Sequence, residues 1–235
     1  MSQKHFVIIG GSKGIGFEIV QQLIANGEAV TVVSRNKDLL VSNTDTNHIT
    51  KDIVIDELEA SELPETIDGL VYCPGSIVLK PFKSISHEQF MEDFTINCLG
   101  AVKSIKAALP GLKKSANIPG IVLFSTVAVT QGMPFHASIA AAKGALEGLT
   151  RSLAAEFAPS IRVNCIAPSL TNTDLAAKML SSDDKIQAAA QRHPLKAIGN
   201  PRDIAALASF LLSDQAKWIS GQIMHVDGGM SSLRV

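Results

Sequence analysis

Short apolar runs alternate along this chain with longer segments in which apolar side chains recur at steps of three and four. Continuous apolar runs are typical of strands buried on both faces of a sheet, and the second spacing is typical of helices with one buried face. Their alternation predicts an α/β fold, in which a parallel sheet carries helices on both faces. The predicted strands are residues 5–9, 29–33, 48–50, 69–73, 120–126, 161–166 and 222–226.

Two of the predicted helices carry start signals. Ser86 and Gln89 have the spacing of a capping box, ahead of an apolar stripe that reaches Leu112. Asn200 followed by Pro201 is a favourable cap and first position for the last long helix. The other predicted helices are residues 17–24, 138–157, a short one within 55–63 and at most a rudimentary one within 36–47.

The composition narrows the class of protein. The 21 basic and 22 acidic residues give no field for nucleic acid or an anionic membrane surface, and no apolar run approaches the length of a membrane span. The three cysteines and six histidines lack the spacing of disulfide or metal sites, so we expect reduced thiols and no metal. The first strand begins within a few residues of Met1, which leaves no room for a signal peptide. No linker or repeat divides residues 1–235. We therefore expect one cytoplasmic domain.

A loop with three spaced glycines follows the first strand. Gly10, Gly14 and Gly16 lead directly into a predicted helix. Glycine allows a sharp turn and close approach of a ligand, and the unpaired amides of a helix N-terminus favour phosphate. A tight turn between core elements is the alternative interpretation, because a glycine trio alone is a weak signal. The strand–glycine–helix order favours a diphosphate site.

The second strand ends where a dinucleotide fold binds the adenosine ribose. An acidic residue there selects NAD. This chain has Ser34 and Arg35 at that point, and Lys13 lies inside the glycine loop. Two cations and a hydroxyl suit a 2′-phosphate, so the sequence favours NADP(H) over NAD(H). Solvated surface charge is the alternative for both cations.

Together these motifs resemble the short-chain dehydrogenase/reductase family over nearly the whole chain. The family's sheet is a Rossmann-type, doubly wound set of seven parallel strands in the order 3-2-1-4-5-6-7, in three α/β/α layers. Its members are often homodimers or homotetramers. Besides the glycine loop, the resemblance rests on Asp52, Gly75, Asn97, Ser125, Thr126, Lys143, Arg162, Asn164, Pro168 and the stretch 221–229.

The resemblance implies a role for each matching residue. The diphosphate and adenosine end would be held by Gly10, Ser12, Lys13, Gly14, Ile15, Gly16, Ser34, Arg35, Asp52 and Ile53. The nicotinamide end would be held by Cys73, Gly75, Asn97, Lys143, Pro168, Ser169, Thr171 and Thr173. The catalytic candidates are Asn97, Ser125, Thr126 and Lys143.

The sequence departs from the family pattern at the proton donor. Ile139 stands four residues before Lys143, where the family has its active-site tyrosine, and Tyr72 is the only tyrosine in the chain. Tyr72 and Cys73 replace a pair of asparagines and Ile9 replaces a threonine, which suggests an exchange of polar bonds for apolar packing. A further departure is Ser169, where the family usually has glycine.

Isoleucine offers neither a proton nor a dipole to a developing alkoxide. A water held by Asn97 and Lys143, a hydroxyl from Thr126 or Ser125, or the ring of His136 are possible substitutes. A protonated imine would need no acid at all, because hydride addition to it leaves no oxyanion.

Two functions follow from the sequence. The first is an NADP(H)-dependent oxidoreductase that reduces a small ketone, imine or enone. The second is an NADPH-binding pseudoenzyme that acts as a redox sensor or as the partner subunit of an active relative. Besides these two hypotheses, a non-redox reaction in the same cleft is a further alternative. Residues 172–194 are predicted to form a mobile lid over the cleft. Four apolar residues of this lid favour a partly hydrophobic small-molecule substrate: Leu175, Ala176, Met179 and Leu180.

Overall fold

A computed structural model describes residues 3–42 and 46–234. Its strands form one parallel sheet in the order β3-β2-β1-β4-β5-β6-β7, so the predicted fold and strand order are confirmed. The strands are β1 (His5–Ile9), β2 (Ala29–Ser34), β3 (Thr46–Thr50), β4 (Gly69–Tyr72), β5 (Gly120–Phe124), β6 (Arg162–Pro168) and β7 (Ile223–Val226).

Helices cover both faces of the sheet. They are α1 (Gly14–Ala25), α2 (His87–Phe94), α3 (Gly100–Leu112), α4 (Ala128–Gln131), α5 (Ala137–Phe157), α6 (Asp183–Gln191) and α7 (Pro201–Leu212). Ile105 of α3 and Leu146 of α5 pack in one apolar layer, whereas Ile19 of α1 and Ile204 of α7 pack in the other. The result is the three-layer α/β/α arrangement. Among the helices of the described residues, none has the length and apolar character to cross a membrane.

The site is positioned by the change of strand order at the middle of the sheet. β1 pairs with β2 on one side and with β4 on the other, so the connections run in opposite directions from β1. In open parallel sheets a crevice forms at this switch point, outside the carboxyl ends of the strands. The glycine loop leaves β1 at this point, and Gly75 follows β4 beside it.

The helix predicted over 55–63 is wrong. The structure has a turn after Asp52 and only a 3₁₀ helix, Ala60–Glu62. The carboxylate of Asp52 accepts from the Val54 N–H at 3.0 Å, and Asp56 accepts from the Asp52 N–H at 2.7 Å. Side-chain acceptors compete here for the N–H groups that a helix would use. The rudimentary helix expected within 36–47 is a 3₁₀ helix, Asp38–Ser42, and residues 43–45 of that segment lie outside the described residues.

The long helix that begins after Ser86 has a wide turn in its middle. The predicted capping box is present, since Ser86 Oγ accepts from the Gln89 N–H at 3.3 Å. Between α2 and α3 the chain forms a π-helical segment, Thr95–Leu99. The Tyr72 hydroxyl donates to the Ile96 carbonyl of this segment at 2.5 Å. A Cβ at Gly100 would lie 2.1 Å from that hydroxyl, so the buried phenol needs glycine there.

Tyr72 and Ile9 lie opposite each other in the β1–β4 pair, and both are buried in the same apolar layer. This contact agrees with the predicted exchange of polar bonds for apolar packing between the central strands. The single hydrogen bond from the phenol is the polar exception, and burial raises the pKa of Tyr72 far above its ordinary value.

We predict that Tyr72→Phe lowers the free energy of unfolding by about 1–2 kcal/mol, because it leaves the Ile96 carbonyl without its buried donor. Gly100→Ala should be more destabilising, and its cost should be smaller in the Tyr72→Phe background. Urea unfolding of the two single variants and the double variant measures this coupling. Additive effects within about 0.3 kcal/mol would contradict the contact.

Candidate functional site

A cavity of about 550 Å³ opens at the carboxyl ends of the central strands. Its walls come from the segments that follow β4, β5 and β6, from the start of α5, and from the segment around α6. This volume lies within the ordinary range for small-molecule sites. Many of the residues predicted for the nicotinamide end and for catalysis meet here: Cys73, Gly75, Asn97, Ser125, Thr126, Lys143, Pro168, Ser169, Thr171 and Thr173, together with Ile15.

The glycine loop has the geometry that a phosphate cradle needs. Gly10 and Gly14 adopt φ values of +76° and +59°, which favour glycine. A Cβ at Gly16 would lie 2.3 Å from the Gly10 carbonyl oxygen, so α1 can approach the end of β1 only with glycine there. Within the described part of the chain, no side chain caps the first N–H groups of α1. These amides fit a diphosphate group.

Of the residues predicted for the diphosphate and adenosine end, only Ile15 lines the cavity; the others lie in the glycine loop, at the start of α1 and at or just after the ends of β2 and β3. Arg35 is exposed, and Lys13 Nζ lies 3.8 Å from a carboxylate oxygen of Asp174. Ser34 is buried, and its hydroxyl donates to the Asn36 carbonyl at 2.7 Å. Ser34 Oγ therefore serves the turn after β2, and the two cations are the groups that face solvent.

Two further residues at this end have structural roles of their own. Ser12 Oγ donates to a carboxylate oxygen of Asp38 at 3.1 Å, which ties the glycine loop to the segment after β2. Ile53 is 5% exposed and packs in the apolar layer with Val33. Its side chain therefore forms part of the core beneath the predicted adenine site.

Lys143 carries its ammonium group into the interior. The residue is only 8% exposed, and burial lowers its pKa to about 8 against the opposing influence of nearby thiols and the Asp93 carboxylate. A Cβ built at Gly75 would lie 3.9 Å from Lys143 Nζ and 3.2 Å from Asn97 Oδ1. Glycine after β4 thus lets the lysine and the asparagine approach the same wall of the cavity.

Asn97 is held by a buried polar network that sequence reasoning missed. Its amide Nδ2 donates to the Asp93 carbonyl at 2.8 Å and to Ser76 Oγ at 2.9 Å. The Asp93 carboxylate accepts from the hydroxyls of Ser76 and Ser138, each at 2.6 Å. Asp93 is fully buried, and it lies four residues before Asn97 on the same helix face. The sequence did contain a signal for this network, because Asp93 is an acidic residue beside the apolar stripe of the predicted helix.

The two hydroxyls at the end of β5 have different surroundings. Ser125 Oγ donates to a Glu147 carboxylate oxygen at 2.6 Å, and both residues are buried. Thr126 Oγ1 accepts from the Ala128 N–H at 3.3 Å. Because the Ser125 proton is held by a carboxylate, Thr126 is the better placed of the two to donate to a ligand.

Neither Ile139 nor Tyr72 can donate a proton to a ligand in the cavity. Ile139 lies in the first turn of α5, is 3% exposed and contributes an apolar side chain to the cavity wall. Tyr72 does not line this cavity and donates its proton to Ile96. His136, the predicted histidine candidate, lines the cavity, with Nδ1 2.7 Å from the Pro134 carbonyl.

A second histidine, which sequence reasoning also missed, lines the same cavity. His193 follows α6, is 3% exposed and has Nε2 2.8 Å from Ser169 Oγ. The signal in the sequence was Ser169, which stands where the family usually has glycine. Nothing in the sequence pattern linked this serine to a histidine 24 positions later.

The cysteines near Lys143 are not activated. Burial raises the pKa of the Cys73 and Cys165 thiols to about 12 and raises that of Cys98 as well, although the Lys143 charge opposes the shift in each. Thiolate is the nucleophilic form, so these side chains are neutral, packed groups at ordinary pH.

We predict that Lys143→Met raises the free energy of unfolding of the ligand-free protein by about 1–3 kcal/mol at pH 7, because it removes a buried charge. The pKa of Lys143 is lowered in the folded state from 10.5 to about 8, so the unfolded chain binds the extra proton between these values. The penalty on wild type is therefore complete below pH 8 and fades as the pH rises toward 10.5.

Urea unfolding at pH 7 and pH 9.5 tests this, and the gain should shrink at the higher pH. The exposed Lys113→Met variant is the control and should leave stability unchanged. A loss of stability in Lys143→Met at pH 7 would contradict the buried charge.

Comparison with known proteins places this geometry in a family. A family model described as enoyl-(acyl carrier protein) reductase matches residues 10–231. A tropinone reductase homologue of Arabidopsis thaliana is 30% identical over 248 residues, which cover 98% of this chain and 93% of that protein.

Solved structures agree along the full length. Aldohexose dehydrogenase of Thermoplasma acidophilum, in ligand-free form, has a TM-score of 0.90 at 28% identity and covers 99% of this chain and 95% of that one. The structure of ElxO with NADP bound has a TM-score of 0.89 at 26% identity, and the match covers 99% of this chain and 100% of ElxO. With this fold, this glycine loop and these relatives, the chain belongs to the short-chain dehydrogenase/reductase family, whose members bind a nicotinamide cofactor.

Proposed function

We propose that this protein is an NADP(H)-dependent reductase of a small ketone, imine or enone. The observation that carries the proposal is that Ile15, in the first turn of the uncapped helix α1, lines the same cavity as the buried Lys143. The cradle fits the diphosphate, and Lys143 would bind the nicotinamide ribose. A nicotinamide held between them would supply hydride to a substrate in the cavity.

The preference for NADP(H) rests on Lys13 and Arg35. Both cations lie near the ends of β1 and β2, where a 2′-phosphate would lie, and Arg35 is exposed for such a contact. The bound NADP of the similar ElxO structure supports the same choice. Asp38, bonded to Ser12 at this end, is the acidic group that the phosphate would have to accommodate.

The substrate class follows from the cavity lining. Apolar side chains of Leu175, Met179 and Ile139 share the cavity with the polar groups of Asn97 and Thr126. A compact molecule with one carbonyl or imine group and an apolar body suits this combination. Thr126 would hydrogen-bond the reacting oxygen or nitrogen, and Lys143 would stabilise negative charge that develops there.

Ile139 stands where the family tyrosine is expected, so the proton must come from another group. A water between Asn97 and Lys143 is one source, because both side chains line the same cavity. We also propose that the protein is a homodimer or homotetramer. In the described chain, nothing approaches a Cβ at Gly148 within 4 Å, so α5 has an open face for a second copy.

The pseudoenzyme remains the second candidate, and Ile139 is the observation that favours it. Its hydrocarbon side chain is packed and 3% exposed, and the neighbouring Ser125 proton is engaged with Glu147. Such a protein would bind NADPH and sense its concentration, or pair with an active relative, without turnover.

We predict that Arg35→Ala weakens NADPH binding about tenfold or more, since it removes a charge-assisted contact to the 2′-phosphate. NADH binding should change little. Titration by nicotinamide fluorescence measures both constants, with the exposed Arg234→Ala as a matched control that affects neither. Equal losses for the two coenzymes would contradict the assignment of Arg35.

We predict that wild type oxidises NADPH slowly with at least one member of a panel of ketones, cyclic imines and enones. Ile139→Tyr should raise kcat/KM for ketones by about 10–10²-fold, because a positioned acid contributes up to about 10²–10⁴-fold. Ile139→Phe is the matched control: it fills the same space without a hydroxyl and should give no gain. NADPH binding without turnover by wild type would favour the pseudoenzyme instead.

A further inference from the structure

Ser169 and His193 form a hydrogen-bonded pair in the cavity wall, and nothing in the proposed function so far uses it. Ser169 directly follows β6, and His193 lies two residues beyond the end of α6. Ser169 Oγ lies 2.8 Å from His193 Nε2, and both residues line the cavity. The pair joins the rigid edge of the sheet to the segment that covers the site.

The protonation of the His193 ring follows from its other contact. His193 Nδ1 lies 2.9 Å from the Ala189 carbonyl, which can only accept a hydrogen bond. Nδ1 therefore carries a proton in every state of the ring. In the neutral ring Nε2 is the acceptor, so the Ser169 hydroxyl donates to it. In the charged ring Nε2–H donates to Ser169 Oγ, and the Ser169 proton becomes available to a third group.

Ser169 Oγ also lies 3.2 Å from the Met230 sulfur, but a thioether is a weak acceptor and one hydroxyl carries one proton. Donation to the imidazole is the stronger arrangement. His193 is 3% exposed, so solvent reaches the ring poorly, whereas Ser169 is only partly buried. The serine is thus the member of the pair that a ligand in the cavity can touch.

We propose that Ser169 is the proton donor of this reductase and that His193 resupplies the proton, in place of the phenol that Ile139 lacks. The inference rests on the proposed function, because the reduced nicotinamide must supply the hydride. A C–H bond forms at the carbonyl carbon while the C=O π bond breaks, and the oxygen takes the Ser169 proton. Ser169 Oγ takes the Nε2 proton of the imidazolium in the same step, and the neutral His193 later regains a proton from solvent.

A free serine hydroxyl is a poor acid at neutral pH, and the relay removes this difficulty. Ser169 never becomes an alkoxide, because it receives a proton from the imidazolium as it gives one to the substrate. The same exchange between serine and histidine operates in hydrolases, in the direction that activates the serine. An imidazole can hold a proton on Nε2 and release it again, which is what the resupplying group has to do.

Other titratable groups share this environment, and the test has to separate them from His193. Lys143, His136, Lys185 and Arg192 line the same cavity. Asp227 precedes Gly228, where a Cβ would lie 3.5 Å from His193 Cβ. The Asp227 carboxylate itself accepts from the N–H groups of residues 229 and 231.

The experiment compares Ser169→Ala and His193→Gln with wild type on a ketone and on a cyclic iminium ion. Loss of the donor should lower kcat/KM for the ketone by about 10²-fold or more, whereas iminium reduction, which needs no proton, should change less than about threefold. NADPH affinity should be unchanged in His193→Gln, which leaves the predicted cofactor-binding residues intact. His225→Gln is the matched control, because His225 Nε2 pairs with Thr130 Oγ1 at 3.2 Å outside the cavity, and it should leave both reactions unchanged.

The pH profile gives a second readout. Wild-type kcat/KM for the ketone should fall as the pH rises through the deprotonation of an imidazolium, and His193→Gln should lose this limb. A limb near pH 8, where Lys143 titrates, should survive in the variant. Equal losses on ketone and iminium ion, or an unchanged profile, would overturn the relay.

The pair can also be observed without cofactor or activity. In ¹H–¹⁵N spectra of the neutral imidazoles, His193 should carry its proton on Nδ1, and Ser169→Ala should shift the Nε2 resonance. A proton on Nε2 would overturn the inference.

The activity data separate the relay from the proposed function. Wild-type turnover that neither variant changes would overturn the relay but not the reductase. NADPH binding without any wild-type turnover would overturn both.

Discussion

The close approach of α1 to the end of β1 is the constraint on which the rest of the site depends. A side chain at Gly16 would place an atom 2.3 Å from the Gly10 carbonyl, so the helix can point its first amides at the sheet edge only because both positions are glycine. The left-handed backbone at Gly10 and Gly14 then shapes the loop around the place where a diphosphate fits. The adjacent gap outside the carboxyl ends of β1 and β4 is then the natural position for the reactive end of a coenzyme.

On the far side of that gap, the chain keeps a charge in the interior and surrounds it with ordered polar groups. The burial of Lys143 costs stability, and it places an ammonium group where a ligand in the cavity can use the charge. Asp93, Ser76 and Ser138 fix the amide of Asn97 through bonds of 2.6–2.9 Å. This is a rigid arrangement for positioning, and Ile139 sits within it as an apolar surface. The polar groups that we propose to deliver the proton are Ser169 and His193, which line the same cavity.

The sequence was most informative where a residue's requirement is local. The glycine loop, the capping box at Ser86 and the Asn200–Pro201 start depend on backbone geometry within a few residues, and the structure has each of them. Strand order followed from the family resemblance. The helix expected over 55–63 failed for an equally local reason, because Asp52 and Asp56 take backbone N–H groups with their side chains.

The polar partners in the site were not predictable, because folding brings them from distant parts of the chain. Ser138 reaches Asp93 across 45 positions, Ser125 reaches Glu147 across 22 and Ser169 reaches His193 across 24. The family resemblance singled out Ser125 and Ser169, but their partners Glu147 and His193, like Asp93 and Ser138, resembled ordinary surface or core residues. The most direct test of the central claim is a calorimetric titration of the wild-type protein with NADPH and then with NADH. The account predicts saturable heat with NADPH and binding at least tenfold weaker for NADH; no heat with NADPH, or equal affinity for both, would contradict it.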